Sequence, residues 1–400
     1  MKIVVAPDKF KGSLPATAVA AALAAGLRSG LARAGRPGAE LVTIPVADGG
    51  EGTVDAAVAA GFERVPVTAA GPAGDPVRSG YARRGEVAVV ELAGVCGLAR
   101  LPGGRPAPLT ASSFGAGEVL RAALESGARR IVLGVGGSAS TDGGAGLLQA
   151  LGARVLDARG EPVRPDGPAL GGGALGDVAA LDLTGLHPAL HPALGPAGRT
   201  AELVLAADVD NPLTGPDGAA EVYGPQKGAS PAEVTVLAAG LRRWAAVVAA
   251  AIGTDWSQAP GAGAAGGVGF AALAVLGATR RPGIELVLDL AGFEAALDGA
   301  DLVITGEGSL DAQSLAGKTP VGVARAAARR GIEVVAVAGR STLSAAELAA
   351  AGIAAVYPLS DLEPDLERSR AEAAGLLRRV GQMIARDRLT ETVTKAETRA

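Results

Sequence analysis

Lysine is scarce in this chain, and its placement is the first clue to chemistry. Of 37 basic residues only Lys2, Lys9, Lys11, Lys227, Lys318 and Lys395 are lysines. Four of these six stand in glycine- or turn-rich segments close to carboxylates. An ammonium on a long stem acts as a point charge toward phosphate or carboxylate. The carboxylates themselves gather in five loops, each at the end of an apolar run that reads as a strand. They are Asp8-Lys9-Phe10-Lys11-Gly12, Asp48-Gly49-Gly50-Glu51-Gly52, Gly134–Gly146, Asp208-Val209-Asp210-Asn211 and Gly306-Glu307-Gly308-Ser309-Leu310-Asp311. One such loop is an ordinary turn. Five of them point to a site, because ligands of open α/β sheets bind beyond the carboxyl ends of the strands.

The third loop is the most telling. Arg129 to Gly146 reads as a short buried strand, a run of glycines and small hydroxyls with one carboxylate, Asp142, and then a helix. A strand, a glycine turn and a helix N-terminus favour an anion, since free N–H groups and the helix dipole both attract one. Phosphate alone repels Asp142; phosphate with Mg²⁺ welcomes it. The residues therefore fit phosphoryl transfer, which needs positive charge over the phosphates, carboxylate-held Mg²⁺ and a group to orient the acceptor hydroxyl.

Other chemistries fit less well. His187 and His191, in a repeated His-Pro-Ala-Leu, are the two histidines, and prolines argue against the helix that a zinc pair would need. The same placement disfavours a Ser/His/Asp triad. Gly261–Gly266 fits a dinucleotide fingerprint but follows no strand, and Leu315–Thr319 lacks the first glycine of a P-loop. Gly134-x-Gly136-x-x-Ala139 does follow a strand, so an NAD(P)-dependent dehydrogenase of a small hydroxy acid stays open as the alternative, as does a nucleotide-binding module without catalysis.

These loops need a scaffold. Four hundred residues favour two domains. Aromatics make up 2% of the chain, so Val, Leu, Ile and Ala must build the core, and base-stacking surfaces for nucleic acid are not expected. The single cysteine, Cys96, excludes an intrachain disulfide and suits a reducing compartment. The apolar runs are too short for a membrane span and the N-terminus does not resemble a signal peptide, so a cytoplasmic protein is expected.

The pattern predicts strands at Lys2–Ala6, Leu41–Val46, Arg64–Thr68, Glu202–Ala206, Leu286–Leu288, Leu302–Thr305, Glu333–Ala338 and Ala354–Pro358. A hairpin is expected over Val77–Arg84 and Glu86–Leu92. Helices are expected from about Leu14 (capped by Ser13) to Ala34, Thr53 to Ala60, Gly115 to Ser126, Pro231 to Ala251, Val321 to Arg330, Ser344 to Ala351 and Leu366 to Arg386. Asp157–Leu194 promises little regular structure. The rhythm gives an α/β fold class: a discontinuous outer domain over residues 1–66 and 286–386 with a parallel sheet, an inserted mixed domain over 67–285, a cleft between them, and a polar tail over 387–400.

Several blocks resemble the bacterial glycerate kinase family of the glyoxylate and glucarate pathways. They are Ala6-Pro7-Asp8-Lys9-Phe10-Lys11-Gly12-Ser13-Leu14, Pro45–Thr53, Gly134–Gly144, Asp208–Leu213 with Gly224–Ala229, Gly263–Gly267, and Thr305–Asp311 with Gly317–Pro320. The resemblance runs in register from Met1 to about residue 385. It implies phosphorylation of D-glycerate by ATP with Mg²⁺, giving 2-phosphoglycerate by preference and 3-phosphoglycerate as the other option, in two dissimilar α/β domains, one Rossmann-like and discontinuous, with the active site in the cleft between them. A monomer or homodimer without nucleic-acid or membrane partners is expected.

On that reading Lys9 or Lys11 holds the glycerate carboxylate, and Asp8, Asp48 or Asp208 accepts the hydroxyl proton or ligates Mg²⁺. The ATP phosphates are expected on Gly136, Gly137, Ser138, Thr141, Gly143 and Gly144, with Lys227, Glu307 and Lys318 completing the nucleotide site. Asp142, Asp208 and Asp311 are the expected metal ligands.

Overall fold

The computed structural model describes residues 1–163, 170–191, 198–316 and 318–389. The chain divides into two compact units: Met1–Asp48 with Asp55–Ala60 and Val287–Ala400, and Gly49–Val54 with Gly61–Leu286.

Numbered in chain order among the described residues, the first unit contains strands β1 (Lys2–Pro7), β2 (Glu40–Thr43), β11 (Leu302–Leu310), β12 (Glu333–Ser341) and β13 (Ala355–Pro358). They form one parallel sheet in the order β13-β12-β11-β1-β2. Counted within the unit this is the doubly wound order 2-1-3-4-5, whose switch point lies between its first and third strands, here β1 and β11. Runs such as Ile3-Val4-Val5 and Leu302-Val303-Ile304 are fully or almost fully buried, as expected for parallel strands covered on both faces.

Helices Ala16–Arg33 and Ala373–Leu389 pack together over this sheet with Leu23, Leu27, Leu377, Val380 and Ile384 in the shared core. Each such side chain contributes about 1.5–3 kcal/mol by leaving water. Their backbones touch because the crossing is lined with glycine. A Cβ on Gly26 would lie 2.1 Å from the Arg378 carbonyl oxygen, and one on Gly381 2.6 Å from that of Leu23.

The second unit holds β3 (Glu63–Ala70), β4 (Pro76–Arg84), β5 (Val87–Glu91), β6 (Arg130–Gly134), β9 (Glu202–Ala206) and β10 (Thr279–Arg281) in the order β10-β9-β6-β5-β4-β3. From β10 to β5 the neighbours are parallel; β4 and β3 continue antiparallel. A small antiparallel pair, β7 (Arg154–Leu156) and β8 (Ala180–Asp182), stands apart.

Helix Pro231–Ile252 starts on a capping box, with Ser230 and Glu233 exchanging hydrogen bonds, and ends at Gly253 in the left-handed region, φ 81°. By length and composition it passes for a membrane span. It nevertheless buries Leu237, Leu241, Trp244 and Val248 in the core of this unit.

Four local expectations are corrected. The strand expected over Arg64–Thr68 as part of the first parallel rhythm is β3, Glu63–Ala70, the edge of the second sheet and antiparallel to β4. Residues 286–288 are not a strand: Gly283–Leu290 is a helix that buries Ile284, Val287 and Leu288 at helical spacing, and the strand is Thr279–Arg281. Ser13 does not cap the first helix. A tight turn from Phe10 to Leu14 delays the helix to Ala16 behind Pro15, and the Ser13 hydroxyl donates to the Arg370 carbonyl at 2.8 Å. The last helix breaks at Glu372 into Leu366–Ala371 and Ala373–Leu389.

Within Asp157–Leu194 the described part carries β8 and two 3-10 turns. Residues 164–169 and 192–194 of that stretch lie outside the described residues, as does the tail from 390 onward. His187 Nδ1 accepts the Ala189 N–H at 3.3 Å, and His191 Nε2 lies 2.9 Å from the Leu183 carbonyl.

Candidate active-site residues

In the first unit the site is built where β1 ends and the neighbouring β11 runs on past it. Pro7 and Gly306 are the last matched pair of β1 and β11, and the Asp8 N–H donates to the Gly306 carbonyl at 2.8 Å. Asp8 and Glu307 follow them. Asp8 is buried, with one oxygen accepting from the Lys9 N–H at 2.6 Å and facing Lys9 Nζ at 3.4 Å. Its other oxygen accepts from the Thr319 hydroxyl at 3.0 Å. Burial pushes the Asp8 carboxyl above its ordinary range; Lys9 pulls it back and Asp48 adds to the rise.

Glu307, 9% exposed, accepts the Ser314 hydroxyl on Oε1. Burial pushes its carboxyl up to about 7, with Asp8 and Asp48 adding to the rise and Ser314 and Lys318 opposing it. Lys318, half-buried, precedes helix Thr319–Ala328, and Lys11 is exposed. Asp311 caps its own turn, accepting the Gln313 N–H at 2.9 Å and the Ser309 hydroxyl at 3.5 Å.

In the second unit the glycine loop after β6 is packed into a cage of backbone. Asp142 is completely buried at its centre. It accepts the Ser113 N–H and hydroxyl, each at 2.7 Å, the Ser112 hydroxyl at 3.5 Å, and the N–H groups of Gly144 and Gly146 at 3.1 and 3.3 Å. Burial raises its carboxyl against those hydrogen bonds, which lower it. With five donors around it and no exposed face, Asp142 organises the loop and has no open side for the Mg²⁺ expected there.

Lys227 is also buried. Its Nζ donates to Ser138 Oγ at 2.8 Å and to the Ser140 carbonyl at 2.5 Å, and burial pulls its ammonium down to about 7, with Asp142 opposing the fall.

The glycine-dense segment rejected as a dinucleotide fingerprint is the brace of this loop. Gly266 accepts the Gly143 N–H at 2.9 Å, and a Cβ on Gly266 would lie 2.1 Å from the Ser140 carbonyl. On the other side, a Cβ on Gly136 would meet Gly50 Cα at 2.7 Å, so the second and third strand-end loops come together. Asp208, at the end of β9, is exposed and accepts the Gly283 N–H at 2.8 Å. Among the described residues no group of three or more His, Cys, Asp or Glu side chains is arranged to hold a metal ion.

Several partners escaped the sequence reading. Ser112 and Ser113 hold Asp142, Ser314 holds Glu307, and Thr319 holds Asp8. Glu91, a carboxylate ending the apolar strand β5, accepts the N–H groups of Gly52 and Val54 at 3.1 and 3.0 Å. A buried strand that closes on a carboxylate was a visible signal; the serines carried none.

A family model described as "Glycerate kinase family" matches residues 3–389. The chain belongs to the glycerate kinase family. It is 42% identical to a glycerate kinase of Bacillus subtilis (strain 168), over 96% of this chain and 97% of that one. It is 43% identical to the glycerate 2-kinase of Escherichia coli (strain K12), over 89% and 90%. A crystal structure of a candidate glycerate kinase 2 from Salmonella typhimurium LT2 superposes with a TM-score of 0.80 at 40% identity, covering all of both chains. The α/β fold and the enzyme class therefore stand as the glycerate kinase family requires.

Proposed function

We propose that the chain transfers the γ-phosphoryl group of ATP to a hydroxyl of D-glycerate, with Mg²⁺ assisting and 2-phosphoglycerate as the product. The observation that carries this reading is the loop after β6. Its glycines admit close backbone approach, and Lys227 lies against it. Gly136 and Gly137 are exposed on it, and Ser138 beside them accepts from Lys227 Nζ at 2.8 Å. These three would line the phosphate site, with Lys227 as the compensating charge, while Thr141, Gly143 and Gly144 are buried behind them with Asp142.

Mg²⁺ is usually held by one or two carboxylates and the substrate's own phosphates, so a three-carboxylate cage is not required. Asp208, exposed at the end of β9, fits such a role; bound Mg²⁺ would neutralise developing phosphate charge. Lys9 and Lys11 in the Asp8–Gly12 loop are suited to the glycerate carboxylate. The 2-position follows the name of the Escherichia coli relative. A cytoplasmic location suits the single buried Cys96 and the core role of helix Pro231–Ile252.

The test is coupled detection of ADP with D-glycerate, ATP and Mg²⁺, followed by NMR of the product. ADP release that depends on all three, with phosphorus on C2, is expected. Binding of ATP without ADP release, or a nicotinamide absorbance change with hydroxy acids, would overturn the reading.

A further inference from the structure

The switch point of the five-stranded sheet lies between β1 and β11, which is where ligands of doubly wound sheets are bound. Asp8 follows the end of β1, Glu307 lies in β11 just past its last pairing with β1, and their carboxylates are held in different ways. Both oxygens of Asp8 are taken, one by Lys9 and one by Thr319. Glu307 is fixed at Oε1 alone by Ser314, itself fully buried on the turn Ser314–Ala316 and accepting the Asp311 N–H at 3.2 Å. Among the described residues nothing hydrogen-bonds Oε2 of Glu307.

Two nearby carboxylates favour a proton at this site and one ammonium opposes it. Asp8 and Asp48 set negative charge near Glu307, and Lys318 opposes it from the start of helix Thr319–Ala328. Other charges stand on the adjoining segments: Lys9, paired with Asp8, Asp311 on the turn after β11, and Arg340 of β12, which reaches Ser309 at 3.3 Å. A carboxylate whose proton affinity sits near neutral pH is suited to collecting a proton during turnover.

We infer that Glu307 is the group that takes the proton of the acceptor hydroxyl, and that Ser314 is the positioning residue that aims it. The inference rests on the glycerate kinase reading above. The acceptor oxygen bonds to the γ-phosphorus as the bond from that phosphorus to its bridging oxygen breaks. The bond pair leaves with ADP, and the hydroxyl proton passes to Glu307 Oε2 and then to solvent after product release.

Glu307→Gln keeps the shape and the Ser314 contact while removing the base. It should lower kcat by about 10²- to 10⁴-fold, with D-glycerate affinity by calorimetry unchanged, and should abolish the rise of kcat/KM with pH near 7. Ser314→Ala should lower kcat roughly 10- to 100-fold, leave KM nearly unchanged and displace that rise, and Ser314→Thr should restore it. Retention of more than a tenth of kcat in Glu307→Gln overturns the inference. Recovery of its rate by excess Mg²⁺, which would make Glu307 a metal ligand, overturns it too. A wild-type enzyme that releases no ADP with D-glycerate overturns the parent reading and this one with it, a result distinct from an active wild type with an active Glu307→Gln.

Discussion

Asp142 accepts both the backbone N–H and the hydroxyl of Ser113, each at 2.7 Å. This pair joins the glycine loop after β6 to the residue preceding helix Phe114–Glu125, and the remaining donors on Asp142 come from Ser112 and the loop itself. Removing the carboxylate leaves those donors buried and unpaired, and an orphaned buried donor costs about 1–3 kcal/mol. Asp142→Ala should therefore lose about 3–5 kcal/mol in urea unfolding, and raising Mg²⁺ should not restore activity. Recovery of activity by Mg²⁺ in a fully folded variant would return Asp142 to the role of metal ligand.

Lys227 gives a pH dependence with a definite sign. Its folded pKa, about 7, lies below the ordinary value of 10.5, so between these the unfolded chain holds the extra proton. Stability contributed by this group grows as pH rises through that window, and the cost of the buried charge is fully present below it. The opposite holds for ATP if the ammonium meets the phosphates: affinity for a non-hydrolysable ATP analogue should fall as pH rises above about 7. Lys227→Met should remove that dependence. An identical pH profile in wild type and Lys227→Met rules the contact out.

The brace beside the loop predicts a selective loss. Gly266 has φ 67°, and its Cβ would press on the Ser140 carbonyl, which is backbone and cannot turn aside. Gly266→Ala should raise KM for ATP well beyond KM for D-glycerate, since the displaced segment is the phosphate loop. Equal effects on both substrates would argue against that loop as the nucleotide site.

The crossing of helices Ala16–Arg33 and Ala373–Leu389 can be tested with an internal control. Gly26→Ala drives a methyl into the Arg378 carbonyl and should destabilise by about 1–3 kcal/mol or more, as overpacking does. Gly375→Ala lies in the same pair of helices, with nothing within 4 Å of the new methyl. It should stabilise by about 0.4–1 kcal/mol through the unfolded chain. Urea midpoints of the two variants should move in opposite directions.

The sequence by itself was enough for the alternation of strands and helices, because buried parallel strands must be continuous runs such as Ile3–Val5 and Leu302–Ile304. It was enough, too, for the glycine loops, since only glycine permits the backbone approaches at Gly136 and Gly266. Short apolar runs were ambiguous, and residues 286–288 went to a helix because period and packing, not composition, decide between the two.

What only the tertiary structure decided was the company each charge keeps. Asp142 and Glu307 look alike in sequence, each a carboxylate in a glycine loop after a buried strand. Ser112 and Ser113 approach the first from about thirty positions away and close it off. Ser314, on the turn after β11, fixes one oxygen of Glu307 and leaves the second without a hydrogen bond among the described residues. Desolvation and hydrogen-bond saturation depend on such neighbours in space, so the two carboxylates part roles only once the chain is folded.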